Sequence, residues 1–230
     1  MAEDKKRGSI FVNALAGLSV LCAVAVTWRL YFPPRAPTPA SAKPVFVPEW
    51  KQYAEVGHRF GASAPKVTIV EFSDFECPVC RVFTLNALRT VLPSFPNEVA
   101  VVYRHWPLAY HRFSYPAARA AECAAAQGQF EPFHYAAFQG QDSLGLLRFE
   151  DLAARAGVPD STKFAACVNL PGNVAAIDAD SAAARAIGGT GTPTILLNGW
   201  RLPGAPDSAM LHRMITVVLR GGTLDTLTMR

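Results

Sequence analysis

The chain has 230 residues, of which 50% are hydrophobic and 17% are charged. This composition excludes an intrinsically disordered chain and leaves enough apolar material for one large or two small domains. The net charge is only +4, and the longest basic run is Lys5–Arg7. Nucleic-acid-binding proteins concentrate more positive charge, so the composition disfavours that function. Five cysteines are too few for a small scaffold built from disulfides.

The first apolar segment predicts a membrane span. Residues 10–28 carry no charge, and a helix of this length would measure about 28 Å, close to the hydrocarbon core of a bilayer. Aromatic residues of the kind that favour the membrane interface lie at its far end: Trp28, Tyr31 and Phe32. We expect a transmembrane signal-anchor over residues 10–32 and a cytoplasmic tail over residues 1–9.

A cleaved signal peptide would explain the same segment. Lys5–Arg7 is a typical basic start, and Ala23–Ala25 offers small residues to a signal peptidase. Basic residues are equally frequent on the two sides of the apolar run, so the charge distribution does not orient it. Retention and cleavage both stay open, and the placement of the remaining chain outside the cytoplasm depends on the cysteine chemistry.

A proline-rich stretch separates this segment from the rest of the chain. Residues 33–48 contain six prolines interspersed with small residues, a composition that predicts a stiff, extended linker. We therefore expect one folded domain over residues 49–222 and a short C-terminal tail over residues 223–230.

A cysteine pair follows the most apolar strand of this domain. Residues 66–72 are rich in β-forming residues and nearly continuous in apolar character, which predicts a buried central strand. An amphipathic helix follows, and Pro78 suits its first turn because proline lacks the N–H that would go unpaired there. Cys77 then lies at the helix N-terminus, and Cys80 lies one turn further on the same face.

This placement predicts redox chemistry. The free N–H groups and the positive end of the helix dipole stabilise a thiolate at Cys77. A mixed disulfide formed at Cys77 could then be resolved by Cys80. An inert structural disulfide and half of a zinc site are the alternatives. A zinc site needs further closely spaced ligands, and the nearest histidines, His58, His105 and His111, form no second paired motif.

The cysteine motif and three later segments resemble one family, the DsbA-like thiol–disulfide oxidoreductases. Residues 67–80, VTIVEFSDFECPVC, are similar to the active-site strand and helix of that family. The other three similar segments are YRHWPL at 103–108, AECAAAQGQF at 121–130 followed by His134, and GTGTPTILLNG at 189–199. The resemblance covers about residues 55–220 and implies an α/β thioredoxin-like fold with an inserted all-helical subdomain.

The remaining pattern fits that order. Residues 98–106 are rich in β-forming residues, and Asn198–Gly199 is a strong hairpin signal between residues 193–197 and 200–202. Between these β segments, residues 114–187 are rich in alanine and predict a helical subdomain. Its helices are expected at 117–138, 149–156, 162–168 and 174–187. Asp160 and Asp207 are expected as helix N-caps, and His105, His111 and His134 as structural polar groups.

The resemblance assigns roles to individual residues. Cys77 would be the exposed nucleophile and Cys80 the buried resolving thiol, with Pro78 and Val79 as the dipeptide between them. Thr192 and a cis Pro193 would hold the substrate through an edge β-pair, although an ordinary turn proline at a strand start would also explain Pro193. Two alternatives are open for the acid at position 71.

In the family an acid at this position is thought to move protons for the buried cysteine, and Glu71 would do so here. A lone acid in an apolar strand is costly unless it is used. The other interpretation puts Glu71 at a solvated edge of the sheet.

Cys123 and Cys167 fall on separate predicted helices of the insert. In an oxidising compartment they should pair, and some members of the resembled family carry such a second, structural disulfide. In a reducing compartment they would be two buried thiols.

The residues around Cys77 suggest how strongly it is activated. Val79 offers no polar group, whereas the best-known oxidases of the resembled family have a histidine there. Asp74 and Glu76 add negative charge before Cys77, which disfavours a thiolate, and the direction of Arg81 cannot be read from the sequence. We expect the pKa of Cys77 to lie below that of a free thiol and above that of the histidine-bearing oxidases.

The resemblance implies an oxidoreductase that introduces disulfides into exported proteins. Its substrates would be reduced or misoxidised exported proteins, and its redox partner a membrane or soluble protein. No organic cofactor, metal or nucleic acid is implied, and a monomer is expected. The predicted location is the bacterial inner membrane, single-pass, with the catalytic domain in the periplasm or outside the cell. A disulfide reductase or isomerase is the alternative within this class, and a non-catalytic binding module or chaperone is the alternative outside it.

Overall fold

A computed structural model describes residues 22–24, 27 and 43–225. Most of the predicted transmembrane segment 10–32 and of the linker 33–48 therefore lies outside the described residues. No helix within the described ranges is long and apolar enough to cross a membrane.

The described residues form one mixed sheet of six strands in the order β1-β6-β5-β3-β4-β2. Strands β3 and β4 are parallel, and every other neighbouring pair is antiparallel. The strands are β1 (Val45–Phe46), β2 (His58–Gly61), β3 (Val67–Ser73), β4 (Val99–His105), β5 (Thr194–Leu197) and β6 (Trp200–Arg201).

The two long central strands are buried along their whole length, because layers of helices cover both faces of the sheet. Successive side chains of β3 alternate between two cores, as strand geometry requires. Ile69 lies in the larger core, which includes the helical insert, and Val70 lies in the smaller core on the opposite face. Glu71 and Ser73 share the face of Ile69, so the polar end of β3 points into the larger core.

Helices supply both layers. The helix after β3, α2, begins with Pro78–Val82, passes through a π-helical stretch at Phe83–Leu88 and ends with Arg89–Val91. The others are α1 (Trp50–Ala54), α3 (Ser114–Ala125), α4 (Phe130–Gln139), α5 (Phe149–Arg155), α6 (Ser161–Val168), α7 (Ala175–Ala186) and α8 (Ser208–Leu219). Helices α3 to α7 form the insert between β4 and β5, which confirms the predicted thioredoxin-like α/β fold with a helical insertion.

Both predicted N-caps are confirmed. The Asp160 carboxylate accepts a hydrogen bond from the backbone N–H of Lys163 at 2.9 Å, and the Asp207 carboxylate accepts one from Met210 at 2.7 Å. Each bond satisfies an N–H that has no partner within its own helix.

Two features differ from the sequence-based expectation. The single helix predicted over 117–138 is two helices, because the chain turns at Gly128, whose φ of 74° is a conformation that glycine adopts without strain. Val45–Phe46 belongs to the stretch predicted as linker, yet it forms the edge strand β1 against β6. The Phe46 ring lies 5.2 Å from the Trp200 ring, and this contact fixes the pairing.

Candidate active site

Cys77 lies where the central strand meets the following helix. Its backbone is extended, with φ −74° and ψ 118°, and Pro78 occupies the first helical position as the sequence predicts. The Cys77 sulfur accepts a hydrogen bond from the backbone N–H of Cys80 at 3.4 Å. The extended backbone at the end of β3 therefore places the Cys77 sulfur beside the free N–H groups of the helix N-terminus.

The two cysteines differ in exposure. Cys77 is 5% exposed and Cys80 is fully buried, and both are free thiols. Cys77, expected as the exposed thiol, is therefore also buried, and of the two sulfurs it is the one whose residue retains some exposure.

Their surroundings separate the acidities of the two thiols. The pKa of Cys77 is lowered from 9.0 to about 6, although burial alone would raise it. The largest cause is a hydrogen bond from the Cys80 side chain. Smaller contributions come from the Thr192 side chain and from the backbone N–H groups of Cys80 and Val79. Burial, the hydrogen bond to Cys77 and the nearby Glu71 raise the pKa of Cys80 well above 9.0. At neutral pH the pair therefore consists of one thiolate and one thiol.

The charged neighbours of Cys77 are directed away from it. Asp74 is buried and accepts hydrogen bonds from the backbone N–H groups of Glu76 and Leu108 and from the His111 ring, each at 2.8 Å. The Glu76 carboxylate accepts from the N–H of Phe113. These two acids are held by the loops around the site, so the repulsion that the sequence suggested is not what sets the acidity of Cys77.

Arg81 likewise does not face the cysteines. Its Nη1 lies 2.8 Å from Asp142 Oδ2, which joins α2 to the helical insert. Nearby, the Gln141 side chain donates to the carbonyl oxygens of Phe75 at 2.7 Å and Cys77 at 3.0 Å. Gln141 thereby positions the active-site loop, and no local sequence signal predicts this role because 64 residues separate it from Cys77.

Thr192 and Pro193 lie against Cys77. The Thr192–Pro193 peptide bond is cis, and the Thr192 carbonyl oxygen lies 3.2 Å from the Cys77 sulfur, where it accepts the S–H of Cys77 when that thiol is protonated. The Thr192 hydroxyl is buried and has no hydrogen-bond partner among the described residues. It lies close enough to the Cys77 sulfur to donate to the thiolate, which helps to lower the pKa of Cys77.

Glu71 lies on the central strand, opposite Tyr103 of β4 and Ile195 of β5. It is fully buried, and neither carboxylate oxygen has a hydrogen-bond partner within the described ranges. Burial raises the pKa of Glu71 from 4.5 to about 8. The interpretation of Glu71 as a residue of a solvated sheet edge is therefore wrong.

Ser73 and Tyr103 were not singled out from the sequence, yet both lie beside Glu71. Their hydroxyl oxygens are buried without a partner in the described part of the chain. Alternation along β3 and β4 would have placed Ser73 on the face of Glu71 and Tyr103 on the face of His105. Alternation does not predict which two strands are neighbours, so it could not bring Tyr103 and Glu71 together.

Two apolar side chains are exposed on the helix that carries the reactive cysteine. Val79 is 52% exposed and Val82 is 56% exposed. Two grooves of about 280 and 270 Å³ meet at Val79, one lined by residues 190–194 and 201–205, the other by α2 and residues 205–208. The first groove is mostly polar and the second mostly apolar, so an extended peptide chain with side chains of both kinds fits this surface.

The other two cysteines of the domain are joined. Cys123 on α3 and Cys167 on α6 form a disulfide with a Cα–Cα distance of 5.8 Å. The bond links two helices of the insert across 44 residues of sequence.

A family model described as thioredoxin matches residues 54–216. The chain belongs to the thioredoxin family. Within it, the predicted resemblance to DsbA-like thiol–disulfide oxidoreductases is confirmed.

The solved structures that are similar to this thioredoxin-family chain include the following three. A thioredoxin-like oxidoreductase from Silicibacter pomeroyi is 29% identical with a TM-score of 0.61, covering 72% of this chain and 93% of that one. A periplasmic thioredoxin-like protein from Salmonella enterica serovar Typhimurium is 26% identical with a TM-score of 0.56, covering 70% and 89%. DsbA2 from Pseudomonas aeruginosa is 27% identical with a TM-score of 0.52, covering 70% and 92%.

A longer curated relative shares the same segment. The Na(+)/H(+) antiporter NhaA of Herminiimonas arsenicoxydans is 33% identical over 174 residues, which are 76% of this chain and 27% of that protein. The chain spans about a quarter of the length of the curated relatives it matches. The name antiporter refers to that longer protein, of which this chain matches only a part.

Proposed function

We propose that this chain is an extracytoplasmic thiol–disulfide oxidoreductase that introduces disulfides into exported proteins. The observation that carries the proposal is the opposite displacement of two neighbouring pKa values, lowered to about 6 at Cys77 and raised above 9.0 at Cys80. A low pKa at Cys77 stabilises the reduced form of the pair and makes its disulfide a stronger oxidant.

The reaction would proceed in two exchanges. A client thiolate attacks Cys77 of the Cys77–Cys80 disulfide; the client–Cys77 bond forms, the bond between the pair breaks, and its electron pair leaves on Cys80. A second client thiolate then attacks the client sulfur of the mixed disulfide. The client disulfide forms and Cys77 leaves as a thiolate, a good leaving group because of its low pKa. The client is oxidised by two electrons and the cysteine pair is reduced.

Glu71 would supply the proton that Cys80 takes up when it leaves. A carboxyl with a pKa of about 8 is protonated at neutral pH. Glu71 also lies close enough to Cys80 that its ionised form raises the pKa of that thiol. Ser73, buried beside both groups, offers a hydroxyl through which the proton can pass.

Client binding would use the cis-proline loop. The Thr192 carbonyl is beside the reactive sulfur, so it can accept a backbone N–H of an extended client next to the client cysteine. The exposed Val79 and Val82 favour unfolded clients, whose apolar side chains are not yet buried. The chain would act as a monomer, and a membrane or soluble redox protein, such as a quinone-linked membrane oxidase, would take the electrons from the reduced pair.

The proposed compartment is the periplasm or the exterior, with residues 10–32 as a single-pass anchor in a bacterial inner membrane. The disulfide between Cys123 and Cys167 supports an oxidising compartment. The periplasmic description of the Salmonella protein is consistent with it. A cleaved segment would release the same domain on the same side.

Trapping experiments test the exchange. With a reduced, unfolded client, Cys77→Ser is expected to abolish disulfide formation, whereas Cys80→Ser accumulates client–Cys77 mixed disulfides on non-reducing gels. The control is Cys22→Ser, which leaves the redox pair intact. Full activity of Cys77→Ser would refute catalysis by this cysteine pair, and the absence of disulfide exchange in the wild-type protein would favour a non-catalytic binding module.

A further inference from the structure

A second cluster of chemically active side chains lies on the outer side of β4. His58 of β2, His105 of β4 and Glu122 of α3 converge there. The Glu122 Oε1 lies 2.7 Å from Nε2 of His58 and 3.0 Å from Nε2 of His105. One ligand atom from each of the three residues lies within 4.8 Å of the other two.

Rigid elements hold these side chains. His58 pairs with Tyr103 in the antiparallel ladder, so His58 and His105 are diagonal neighbours on one face of the sheet. The His58 ring also stacks on the Phe130 ring at 3.7 Å with an angle of 12°. The three donor atoms are therefore positioned in advance by two paired strands, a helix and an aromatic ring.

His105 gives a second, independent observation. Its side chain is 1% exposed, and within the described residues neither ring nitrogen has a hydrogen bond of acceptable geometry. Its Nε2 is close to the Glu122 carboxylate without being aligned for a hydrogen bond to it. Ligands of one metal ion point at a common centre and not at one another, which accounts for a short but misaligned contact.

We propose that His58, His105 and Glu122 form a binding site for a divalent transition-metal ion and that Zn²⁺ is the preferred ion. Two imidazole nitrogens and one carboxylate oxygen are a typical donor set for zinc. Tetrahedral ligands around zinc lie about 3.3 Å apart, so the Glu122 carboxylate has to retreat by roughly half an ångström. Its side chain is 22% exposed and has room to do so, and solvent can provide the fourth ligand.

The bound ion would join three elements, because each of them contributes one ligand. It would fix the outer strand β2 and the central strand β4 to α3, whose next residue, Cys123, is already held by the disulfide to α6. A ligand that binds the folded state alone raises the stability of that state, so zinc is expected to raise the unfolding temperature of the protein.

The test is isothermal titration of the full chain carrying Cys22→Ser with Zn²⁺ after the Cys77–Cys80 pair has been oxidised, because free thiolates would compete for the ion. One saturable ion per chain is expected. His58→Gln and Glu122→Gln should each weaken binding at least tenfold, while His212→Gln, which changes an exposed histidine of α8, should leave it unchanged.

The variants at the two partly exposed positions keep the test decisive, because replacement of the buried His105 perturbs the core as well. Circular dichroism at matched temperatures establishes that His58→Gln and Glu122→Gln are folded. The absence of saturable binding by the oxidised chain overturns the proposal. Unchanged affinity in both folded variants, or equal loss in His212→Gln, overturns it as well.

Discussion

Replacement of Glu71 by glutamine is expected to stabilise the protein at neutral pH. Below pH 4.5 the carboxyl is protonated in the folded and the unfolded chain alike, and it contributes no pH dependence. Between pH 4.5 and about 8 the unfolded chain releases this proton while the folded chain retains it, because burial raises the pKa of Glu71 to about 8. Stability therefore falls as the pH rises through this interval.

The magnitude follows from the same two values. Each pH unit above the unfolded-state pKa of 4.5 lowers the free energy of unfolding by about 1.4 kcal/mol until the folded-state pKa of about 8 is reached. The loss is therefore about 3 kcal/mol at pH 7 and about 5 kcal/mol above pH 8. Glutamine carries no titrating group, so Glu71→Gln should recover this free energy. Both oxygens of Glu71 lack a hydrogen-bond partner among the described residues, so the amide encounters the same unsatisfied surroundings as the protonated acid.

Urea unfolding from pH 4.5 to pH 8 measures the effect. The oxidised protein is used so that the Cys123–Cys167 disulfide stays intact. Burial is the largest cause of the raised pKa of Glu71, and burial does not depend on the redox state of the cysteine pair. The difference in free energy of unfolding between Glu71→Gln and wild type should grow with pH. Glu55→Gln, at an exposed position, is the control. A difference that is constant across this pH range would refute the reasoning.

Three further perturbations address the cysteines. Val79→His should lower the pKa of Cys77 below about 6, which the ultraviolet absorbance of the thiolate measures. The control Val82→His, one turn further along the helix, should change this pKa less. Equal shifts in the two variants would exclude a specific role for the dipeptide. Thr192→Val should raise the pKa of Cys77, because a hydroxyl donor is lost, and Thr190→Val should not; an unchanged value in Thr192→Val would contradict this. Cys123→Ala with Cys167→Ala should lower the free energy of unfolding by about 4 kcal/mol, as expected for a 44-residue separation, without abolishing exchange. Alkylatable thiols at both positions in the oxidised wild-type protein would argue against the bond.

Local sequence signals predicted the centre of the site well. An apolar strand, a proline and the spacing of Cys77 and Cys80 are sufficient to place one sulfur at a helix terminus, since all of these features lie within fifteen residues. The burial of Glu71 could not be decided in the same way. An acid in an apolar strand suits an edge or a buried centre, and only the strand order assigns β3 to the centre.

Long-range partners explain the remaining differences. The contact between Cys77 and Thr192 spans 115 residues, and it was expected through family resemblance and not from spacing. His58 and His105 lack the close spacing of a metal motif, yet strand pairing makes them neighbours and α3 brings Glu122 to them. The charges of Asp74 and Glu76 suggested repulsion of a thiolate because their distant N–H partners are not visible in the sequence.

The equilibrium reduction potential of the Cys77–Cys80 pair against glutathione tests the central claim most directly. A pair with the pKa of Cys77 lowered to about 6 is expected to be more oxidising than about −220 mV, the upper end of the cytosolic glutathione range. A potential below this value, towards the about −270 mV of thioredoxin, would contradict an oxidase and identify the chain as a reductant.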